Sequence, residues 1–391
     1  MKRTKNKVVA TILTAVMGLS LLAGCGQSSV SSETDNASES SGETGDSGSA
    51  SDISQSASAG EEDEMRTVTD AAGNTVEVPA DISKIAVTPL PWSSVIYAID
   101  GTSERMVAIN PGALSETAYK GQFFETLDPS YGSINSTAIG SDFSINMEEM
   151  VKMGVEAVVI WDYQEDEAEQ LKELGIAPVM VKNETVEELQ SSFRAIGELL
   201  GKEERAQQFI DLYSDVYEKI QSYQEEIDGA QKPKVLYLRN SQLKLQGNDN
   251  FIKEALELAG ADNVAADSSE LTMEEILAID PDIIFLSWFD TFTPDDLYNN
   301  TIDGQDWSNV TAVKEGRVYK TPIGIYRWDA PGVETPLMME WLATMIQPEI
   351  FSDIDIEAEV SDYFKTYFDI ELSEENLDQI LSRELNANSA S

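Results

Sequence analysis

Two stretches of the chain share one pattern of apolar and polar positions. Residues 145–161 read INMEEMVKMGVEAVVIW and residues 271–287 read LTMEEILAIDPDIIFLS, so the second lies 126 positions after the first. In both, a residue able to cap a helix precedes apolar residues at helical spacing, and an apolar β-branched run follows. The pattern predicts a helix, a turn and a buried strand, used twice. Chance similarity of two amphipathic helices is the alternative interpretation.

A duplicated α/β unit on either side of one long helical segment predicts two similar lobes with a ligand between them. The fold class is therefore α/β, with two Rossmann-like lobes bridged by a single long α-helix and a ligand cleft between them. Such a helix would limit the lobes to a small rocking motion. The expected boundaries are 65–201 for the N-terminal lobe, 202–228 for the connecting helix, 229–385 for the C-terminal lobe and 386–391 for a tail.

The N-terminal segment reads as an export signal. Basic residues precede an apolar run at 8–22 that is too short for a comfortable membrane span, which indicates a signal peptide over 1–24. Leu22-Ala23-Gly24-Cys25 resembles the lipobox of bacterial lipoproteins, in which the cysteine becomes the lipid-modified N-terminus. An incidental cysteine after an ordinary signal is the alternative. Residues 25–64 are rich in Ser, Gly and acidic side chains, so we expect a lipidated Cys25 and a disordered tether holding an extracytoplasmic domain at the cell membrane.

The amino-acid composition excludes several kinds of catalytic site, metal site and partner. The chain has 71 acidic and 26 basic residues, a net charge of −45, one cysteine and no histidine. The missing imidazole excludes histidine-based catalysis and His-rich metal sites, and the lone cysteine excludes an intramolecular disulfide. We expect no enzyme activity, no cofactor, no metal ligated directly by the protein and no nucleic-acid partner. An anionic ligand would need local arginine residues in a sheltered cleft.

Several segments, in this order and spacing, resemble the periplasmic-binding-protein family that delivers iron-siderophores and corrinoids to bacterial ABC importers. The resemblance covers residues 66 to about 385 and, with the long helix and the lipobox, rests on the segments DAAGNTVEVP, PLPWSSVIYAI, IGSDFSINMEEMVKMGVEAVVIW, LQGNDNFIKEALELAGADNV, LTMEEILAIDPDIIFLSW and VYKTPIGIYRWDAPGVETP. It implies a monomeric binding lipoprotein that captures a metal chelate, a ferric siderophore first, and presents it to a permease. Corrinoid is the nearest alternative. Haem ranks below both, because the chain has no histidine whose imidazole could ligate the haem iron.

The same resemblance implies one acidic residue on each lobe that pairs with basic residues of the permease. Its position, 13 residues before the strand-end Trp161, selects Glu148, and the repeat then selects Glu274. The alternative is that acidic residues in a first turn stabilise their own helix dipole.

Ligand contacts are expected where strands end and helices begin, facing the cleft. The candidates at such positions are Trp92, Ser93, Trp161, Tyr163, Arg239, Trp288, Phe289, Tyr326, Arg327 and Trp328. The aromatic side chains would form flat walls, and the two arginines would bind carboxylate or catecholate oxygens. A tryptophan beside a strand is about as often core, and Arg327 could instead pair with Asp329 or Glu334.

Two other classes of function remain open at this stage. A surface hydrolase lacks both histidine and a GxSxG turn, although paired carboxylates could support glycoside hydrolysis. A sensory lipoprotein or adhesin that binds only another protein would have a cleft filled by side chains.

Overall fold

The computed structural model describes residues 64–390, which lie within one compact unit spanning residues 61–391. The predicted signal peptide, Cys25 and nearly all of the tether lie outside the described residues. Among residues 64–390, no helix is both long enough and apolar enough to cross a membrane.

The N-terminal lobe opens with a hairpin and continues as alternating strands and helices. Its strands are β1 (Met65–Thr69), β2 (Thr75–Pro79), β3 (Ile85–Val87), β4 (Met106–Ile109), β5 (Ala157–Trp161) and β6 (Ala177–Val181). Its helices are α1 (Leu90–Asp100), α2 (Phe123–Leu127), α3 (Met147–Met153), α4 (Glu165–Glu173) and α5 (Val186–Leu200), with 3-10 turns at Pro111–Leu114 and Tyr131–Ser133.

Two helices lead into the C-terminal lobe, α6 (Glu203–Gln221) and α7 (Gln224–Gly229). The strands that follow are β7 (Lys234–Leu238), β8 (Asp262–Asn263), β9 (Ile283–Leu286) and β10 (Val318–Lys320). The helices of this lobe are α8 (Asn250–Leu258), α9 (Met273–Ile279), α10 (Pro294–Tyr298), α11 (Thr311–Lys314), α12 (Thr335–Ile346), α13 (Ile356–Phe368) and α14 (Glu374–Ile380).

Each lobe contains a four-stranded parallel sheet of the same topology. The strands lie in the order β4-β3-β5-β6 in the first lobe and β8-β7-β9-β10 in the second. Counted along the chain within each four-stranded sheet, both orders are 2-1-3-4. The two copies of the repeated unit therefore occupy equivalent places in different lobes, which confirms the prediction of two Rossmann-like halves.

The repeated unit has the same local structure in both lobes. The side chain of Asn146 accepts a hydrogen bond from the Glu149 N–H at 3.2 Å, and that of Thr272 accepts one from the Glu275 N–H at 3.3 Å. Each helix then ends at a residue in the left-handed region, which reverses the chain into β5 or β9. The predicted sequence of helix, turn and strand is confirmed in both copies.

The connection between the lobes differs in detail from the expected single rod over 202–228. The 19-residue helix α6 stops at Gln221, and the short α7 begins at Gln224 after a turn. The side chain of Tyr223 lies in that turn, with its hydroxyl donating to Asp353 at 2.6 Å and its ring 4.9 Å from that of Phe351. Tertiary contacts therefore interrupt a segment whose local sequence favours helix.

One hydrophobic core runs through both lobes. It includes buried residues of the first lobe, the inner face of α6 and the inner faces of α12 and α13. Across the lobes, Tyr97 stacks on Phe368 with centroids 6.2 Å apart, and Phe123 meets Phe364 edge-on at 5.1 Å. Wide separation of the lobes would expose this core, so small rocking motions are favoured.

The C-terminal residues cover the edge of β10. The side chain of Asn386 accepts from the Lys320 N–H at 2.7 Å and donates to the Lys320 carbonyl at 3.0 Å. It takes the hydrogen-bonding role of a neighbouring strand at this position. The segment expected as a tail from residue 386 is thus attached to the sheet as far as the structure describes it, to Ala390.

Candidate functional site

The carboxyl ends of the two parallel sheets carry most of the side chains expected to bind a ligand. Because parallel strands end at one edge of their sheet, the residues after β5 lie together in the first lobe and those after β7, β9 and β10 lie together in the second. At the second of these edges the chain contributes Arg239, Ser287, Trp288, Phe289 and Thr321.

Two arginine side chains enclose one phenylalanine ring. The guanidinium carbon of Arg239 lies 3.3 Å from the Phe289 centroid, and that of Arg327 lies 3.6 Å from it. Two groups that close to one face would overlap, so the guanidinium groups cover opposite faces of the ring. Stacking leaves the N–H edges of both groups directed outward, where they can donate hydrogen bonds.

The hydrogen bonds around this Arg-Phe-Arg stack are few. Arg239 Nη1 donates to Gln246 Oε1 at 2.7 Å, and Arg327 Nη1 donates to the Trp288 carbonyl at 3.4 Å. Arg327 Nε lies 3.9 Å from Asp329 Oδ1, too far for a hydrogen bond, although the two charges attract each other. Asp329 and Glu334 were the two acids expected from the sequence as possible ion-pair partners of Arg327. In the structure the partner is Asp329.

The charged side chains of Arg327 and Asp329 are buried. The Arg327 side chain is 8% exposed and that of Asp329 is 0% exposed, so both charges are largely withdrawn from water. Burial, followed by repulsion from Arg327, lowers the pKa of Arg239. Charged groups with incomplete hydrogen bonding in a low-dielectric site favour binding of a complementary charge.

The wall of the first lobe is aromatic. The rings of Trp161 and Tyr163 stack with centroids 6.1 Å apart and planes at 17°, and Tyr163 is 66% exposed. They line a cavity of about 360 Å³ together with Phe143, Asp162, Lys182, Asn183, Glu184 and Glu188. The Lys182 ammonium lies 3.4 Å from Asp162 and 3.8 Å from Glu188, so this cavity presents no free positive charge of its own.

The two lobes meet beside this cavity. The Asn250 amide donates to the Glu184 carbonyl at 3.0 Å, and Tyr326 packs against Ala118 and Leu90 of the first lobe. The turn that contains Arg327 is therefore at the interface of the lobes. The cavity beside Trp161 and Tyr163 is lined by residues of the first lobe, and the Arg-Phe-Arg stack belongs to the second lobe.

Two residues expected at the ligand wall are instead buried in the first lobe. Helix α1 begins at Leu90, so Ser93 lies inside the helix; its hydroxyl accepts from Tyr131 at 2.7 Å and donates to the Leu90 carbonyl at 3.0 Å. Trp92 is 1% exposed, and its ring packs edge-on against Phe193. Its indole N–H makes no hydrogen bond among the described residues. Both residues are therefore buried rather than exposed at a ligand wall, as is Trp328 of the second lobe, which is 2% exposed.

A family profile described as periplasmic binding protein matches residues 85–323, more than half of the chain. The chain belongs to the periplasmic binding proteins. A crystal structure of a periplasmic solute binding protein from Veillonella parvula DSM 2008 is 39% identical, with a TM-score of 0.78, and the match covers 83% of this chain and 99% of that one.

More distant relatives share the fold. Molybdate-binding protein MolA of Haemophilus influenzae is 24% identical over 332 residues, covering 78% of this chain and 91% of that protein. The Helicobacter pylori protein CeuE, solved with Ni(II) bound, is 24% identical with a TM-score of 0.63 over 81% of this chain and 99% of that one. Periplasmic binding proteins capture solutes outside the cytoplasm for ABC importers and are not enzymes. The prediction of a solute-binding protein for an ABC importer and the prediction of no enzyme activity are therefore confirmed for the family.

In this periplasmic binding protein a buried lysine organises the loop that carries Trp288 and Phe289. Lys320 is fully buried, and its ammonium donates to the carbonyls of Ser287, Asp290 and Phe292 at 2.7–2.9 Å. It also lies 4.5 Å above the Trp288 ring. Burial lowers the pKa of Lys320 to about 8. This residue was not predicted from the sequence, because a lysine at the end of a short strand resembles a surface position.

A buried glutamate organises the turn that carries Arg327. Glu334 accepts hydrogen bonds from the N–H groups of Ile325 at 3.2 Å and Tyr326 at 3.0 Å. Its carboxylate occupies the space where a side chain at Gly324 would begin, because a Cβ there would lie 1.8 Å from Oε1. The only sequence signal for this contact was the glycine itself, in the segment GIYRW.

We expect Glu334 to make stability depend on pH. Burial raises the pKa of Glu334 from 4.5 to about 8. Between these values the folded protein holds a proton that the unfolded chain has released, so the free energy of unfolding falls as pH rises. Glu334→Gln cannot titrate, so from pH 5 to pH 8 the wild type should lose more stability than the variant, by up to about 1.4 kcal/mol per pH unit. Urea unfolding at pH 5, 6.5 and 8 tests this, and parallel profiles would contradict it.

Proposed function

We propose that this periplasmic binding protein captures an anionic metal chelate outside the cell, with a ferric siderophore as the first candidate, and delivers it to an ABC importer. The supporting observation is the turn 326–329, in which each of four consecutive residues has a buried polar atom that makes no hydrogen bond of normal geometry among the described residues, although Tyr326 lies close to Arg327 and Trp328 lies close to Glu334. These atoms are Tyr326 Oη, Arg327 Nε, Trp328 Nε1 and Asp329 Oδ1. Unpaired buried groups are costly, and three of the four can donate to an anion.

The charges at the cleft fit the same ligand class. The net charge of −45 repels anions at long range, whereas Arg239 and Arg327 place two positive charges around Phe289, with Arg327 buried and Arg239 half-buried. The outward N–H edges suit catecholate or carboxylate oxygens, which accept paired hydrogen bonds from a guanidinium group. Two acids act against this charge: Asp329 lies 3.9 Å from Arg327, and both Asp329 and Asp249 attract Arg239.

The opposite wall suits a bulky chelate. Trp161 and Tyr163 offer a flat aromatic surface beside a cavity of about 360 Å³. Ligand sites of this kind combine apolar walls with a few well-placed polar groups. We assign Trp161, Tyr163, Arg239, Trp288, Phe289, Tyr326, Arg327 and Trp328 to the site or to the loops that form it.

A test of the aromatic wall is Trp161→Ala. Loss of the indole face should weaken binding of the best ligand by at least about 1 kcal/mol, a several-fold change in Kd. Trp161→Phe keeps a flat ring and should retain most of the affinity. Titration of the two variants side by side, with circular dichroism to check folding, gives the comparison. Equal affinities for Trp161→Ala and wild type would remove this wall from the site.

A small oxyanion is the second candidate ligand. The relative MolA is named for molybdate binding, and the guanidinium groups of Arg239 and Arg327 would donate hydrogen bonds to a small anion. A bulky chelate would require the cleft to open further before binding. Corrinoid and haem remain ligands to be included in the titration.

The deciding experiment is a tryptophan-fluorescence titration of the protein lacking residues 1–64. The probes are a ferric catecholate, a ferric hydroxamate of low charge, cobalamin, haem and molybdate. The Arg-Phe-Arg stack predicts that the anionic ferric catecholate binds at least about tenfold more tightly than the hydroxamate. Tight binding of molybdate alone would establish the second candidate. No binding of any probe would contradict both.

Delivery requires anchoring and docking, for which we propose Cys25 as the lipid attachment and Glu148 with Glu274 as permease contacts. Both glutamates are exposed and lie at equivalent places in α3 and α9. Paired carboxylates on two rigid lobes would orient docking on a basic surface.

Anchoring can be tested with Cys25→Ala. Without the thiol no lipid can be attached, and we expect the protein to move from the membrane fraction to the soluble fraction. Detergent phase separation of cell extracts measures this partition, with an unrelated lipoprotein as the internal control. Membrane retention of Cys25→Ala at the wild-type level would contradict lipid attachment at this residue.

A further inference from the structure

A glutamine inside the second lobe joins the two segments that carry the arginine side chains of the candidate site. Gln246 is 1% exposed and lies in the loop between β7 and α8. Its Oε1 accepts a hydrogen bond from Arg239 Nη1 at 2.7 Å, and its Nε2 donates to the Asp329 carbonyl at 3.2 Å. The side chain therefore links Arg239 to the turn 326–329, which contains Arg327.

The orientation of the Gln246 amide is determined by its two partners. A guanidinium group can only donate hydrogen bonds, and a main-chain carbonyl can only accept them. The amide oxygen must therefore face Arg239, and the amide nitrogen must face Asp329. A carboxylate at this position would place an acceptor against the Asp329 carbonyl, and an apolar side chain of the same length would satisfy neither partner. The side chain of glutamine satisfies both.

The main chain holds Gln246 in place. Its N–H donates to the carbonyl of Tyr237 in β7 at 2.9 Å, and its carbonyl accepts from the Asp249 N–H at 3.0 Å. The carbonyl of the next residue, Gly247, accepts from Asn263 Nδ2 at 2.7 Å. The side chain of Gln246 therefore starts from a main chain that is fixed to the sheet, as accurate positioning of another side chain requires.

Gln246 orients Arg239 without neutralising its charge. The hydrogen bond to Gln246 is the only one that the Arg239 side chain makes within residues 64–390. Because the acceptor is an uncharged amide, it fixes the direction of one N–H group and leaves the positive charge and the other N–H donors of the guanidinium group for a ligand. Burial of an amide costs free energy unless both of its ends are paired. One of the two partners here is an arginine that we assign to the ligand site.

We propose that Gln246 is a positioning residue of the solute site, which fixes the Arg239 guanidinium relative to the turn of Arg327 so that both guanidinium groups act on one anionic ligand. This role rests on the proposed function and adds a residue that acts through Arg239 rather than on the ligand itself. Changes at Gln246 should therefore alter the preference for an anionic chelate over a chelate of low charge. A residue that only stabilised the fold would affect both chelates alike.

Titration with a ferric catecholate and a ferric hydroxamate of low charge tests this selectivity. Gln246→Met keeps the length of the side chain without its hydrogen-bonding groups, and it should bind the catecholate about tenfold more weakly while hydroxamate binding changes less than about threefold. Gln242→Met is the matched control, because Gln242 is exposed in the same loop, and it should bind both chelates as the wild type does. Unchanged catecholate affinity in Gln246→Met, or equal losses for the two chelates, would overturn the proposal.

A double-mutant cycle tests whether Gln246 acts through Arg239. When Arg239→Met is already present, Gln246→Met should change catecholate affinity by no more than about twofold, because the group that it positions has been removed. Additive losses would show that Gln246 acts on the site by another route and would overturn the positioning role.

A measurement without ligand separates this role from the proposed function. In the protein lacking residues 1–60, which retains the compact unit 61–391, nitrogen-15-labelled arginine reports the rotation of each guanidinium group by NMR. The Arg239 signals, assigned by their absence from Arg239→Met, should show slow rotation in the wild type and in Gln242→Met, and faster rotation in Gln246→Met, which lacks the acceptor for Nη1. Equal rotation in Gln246→Met and the wild type would overturn the positioning role whether or not a chelate binds. A wild-type protein that binds no chelate but shows the expected change in rotation would reject only the proposed function.

Discussion

Arg327→Met is expected to weaken binding of the anionic ligand by about 2 to 4 kcal/mol, which is roughly a thirty-fold to thousand-fold rise in Kd. Methionine keeps much of the volume against Phe289 but removes the charge and every N–H donor. The effect should be large because the group is nearly buried, so water cannot replace it. Fluorescence titration with the tightest-binding anionic probe gives the measurement.

Two further variants separate charge from geometry. Arg327→Lys keeps a positive charge but loses the planar pair of donors, so its affinity should lie between those of wild type and Arg327→Met. Arg317→Met is the matched control, because Arg317 precedes β10 at the opposite edge of the same sheet. Wild-type affinity in Arg327→Met, or an equal loss in Arg317→Met, would remove Arg327 from the ligand site.

The partner carboxylate requires its own control. Removing Arg327 leaves Asp329 buried without its cation, which lowers stability independently of any ligand. In Arg327→Met/Asp329→Asn the buried charge is gone, while the amide oxygen can still accept from the Trp288 N–H, which bonds Asp329 Oδ2 at 2.8 Å. We expect this double variant to regain stability relative to Arg327→Met and to remain a weak binder. Recovery of affinity along with stability would indicate a purely structural role.

The two-lobed α/β architecture was predictable because the same helix-turn-strand pattern occurs twice in the sequence. The same apolar spacing at 147–153 and 273–279 fixes which helix face is buried, and the apolar run after each helix fixes a strand. Parallel topology then places the residues after those strands at one edge, which is why Arg239, Trp161 and Phe289 could be assigned to the carboxyl ends of strands without coordinates. The stacking of the Arg239 and Arg327 guanidinium groups on the Phe289 ring depends on tertiary structure and has no local signal in the sequence.

The errors at the site have physical causes as well. Ser93 looked like a helix cap, but proline is well tolerated in a first turn, so α1 begins at Leu90 with Pro91 inside it and draws Trp92 into the core. Helix α6 ends after Gln221, although no glycine or proline at that point predicts an end. The interruption depends on contacts of Tyr223 with residues about 130 positions away. Lys320 was missed, and Glu334 was expected only as a possible partner of Arg327, because a buried charge is recognisable only by its partners.

Gly324→Ala is expected to have the largest effect on stability of any single methyl addition in the cleft. An added Cβ would lie 1.8 Å from Glu334 Oε1 and 2.8 Å from its Cδ, so the carboxylate must leave its place. Overpacking costs about 1–3 kcal/mol, and loss of the two N–H contacts of Ile325 and Tyr326 adds a comparable amount. We therefore expect the free energy of unfolding to fall by about 3 kcal/mol or more, with a matching loss of ligand affinity as the turn moves Arg327.

The same turn supplies the control for that variant. At Gly332 the nearest atom to an added Cβ is the Ala330 carbonyl oxygen at 3.9 Å, so Gly332→Ala should change stability by no more than about 0.5 kcal/mol. A double-mutant cycle with Glu334→Ala tests the cause, because removing the carboxylate removes the clash. Gly324→Ala should then cost much less in the Glu334→Ala background than in the wild type. Additive losses in urea unfolding would show that the glycine is required for another reason, and equal losses in both glycine variants would show that the turn is not held by Glu334.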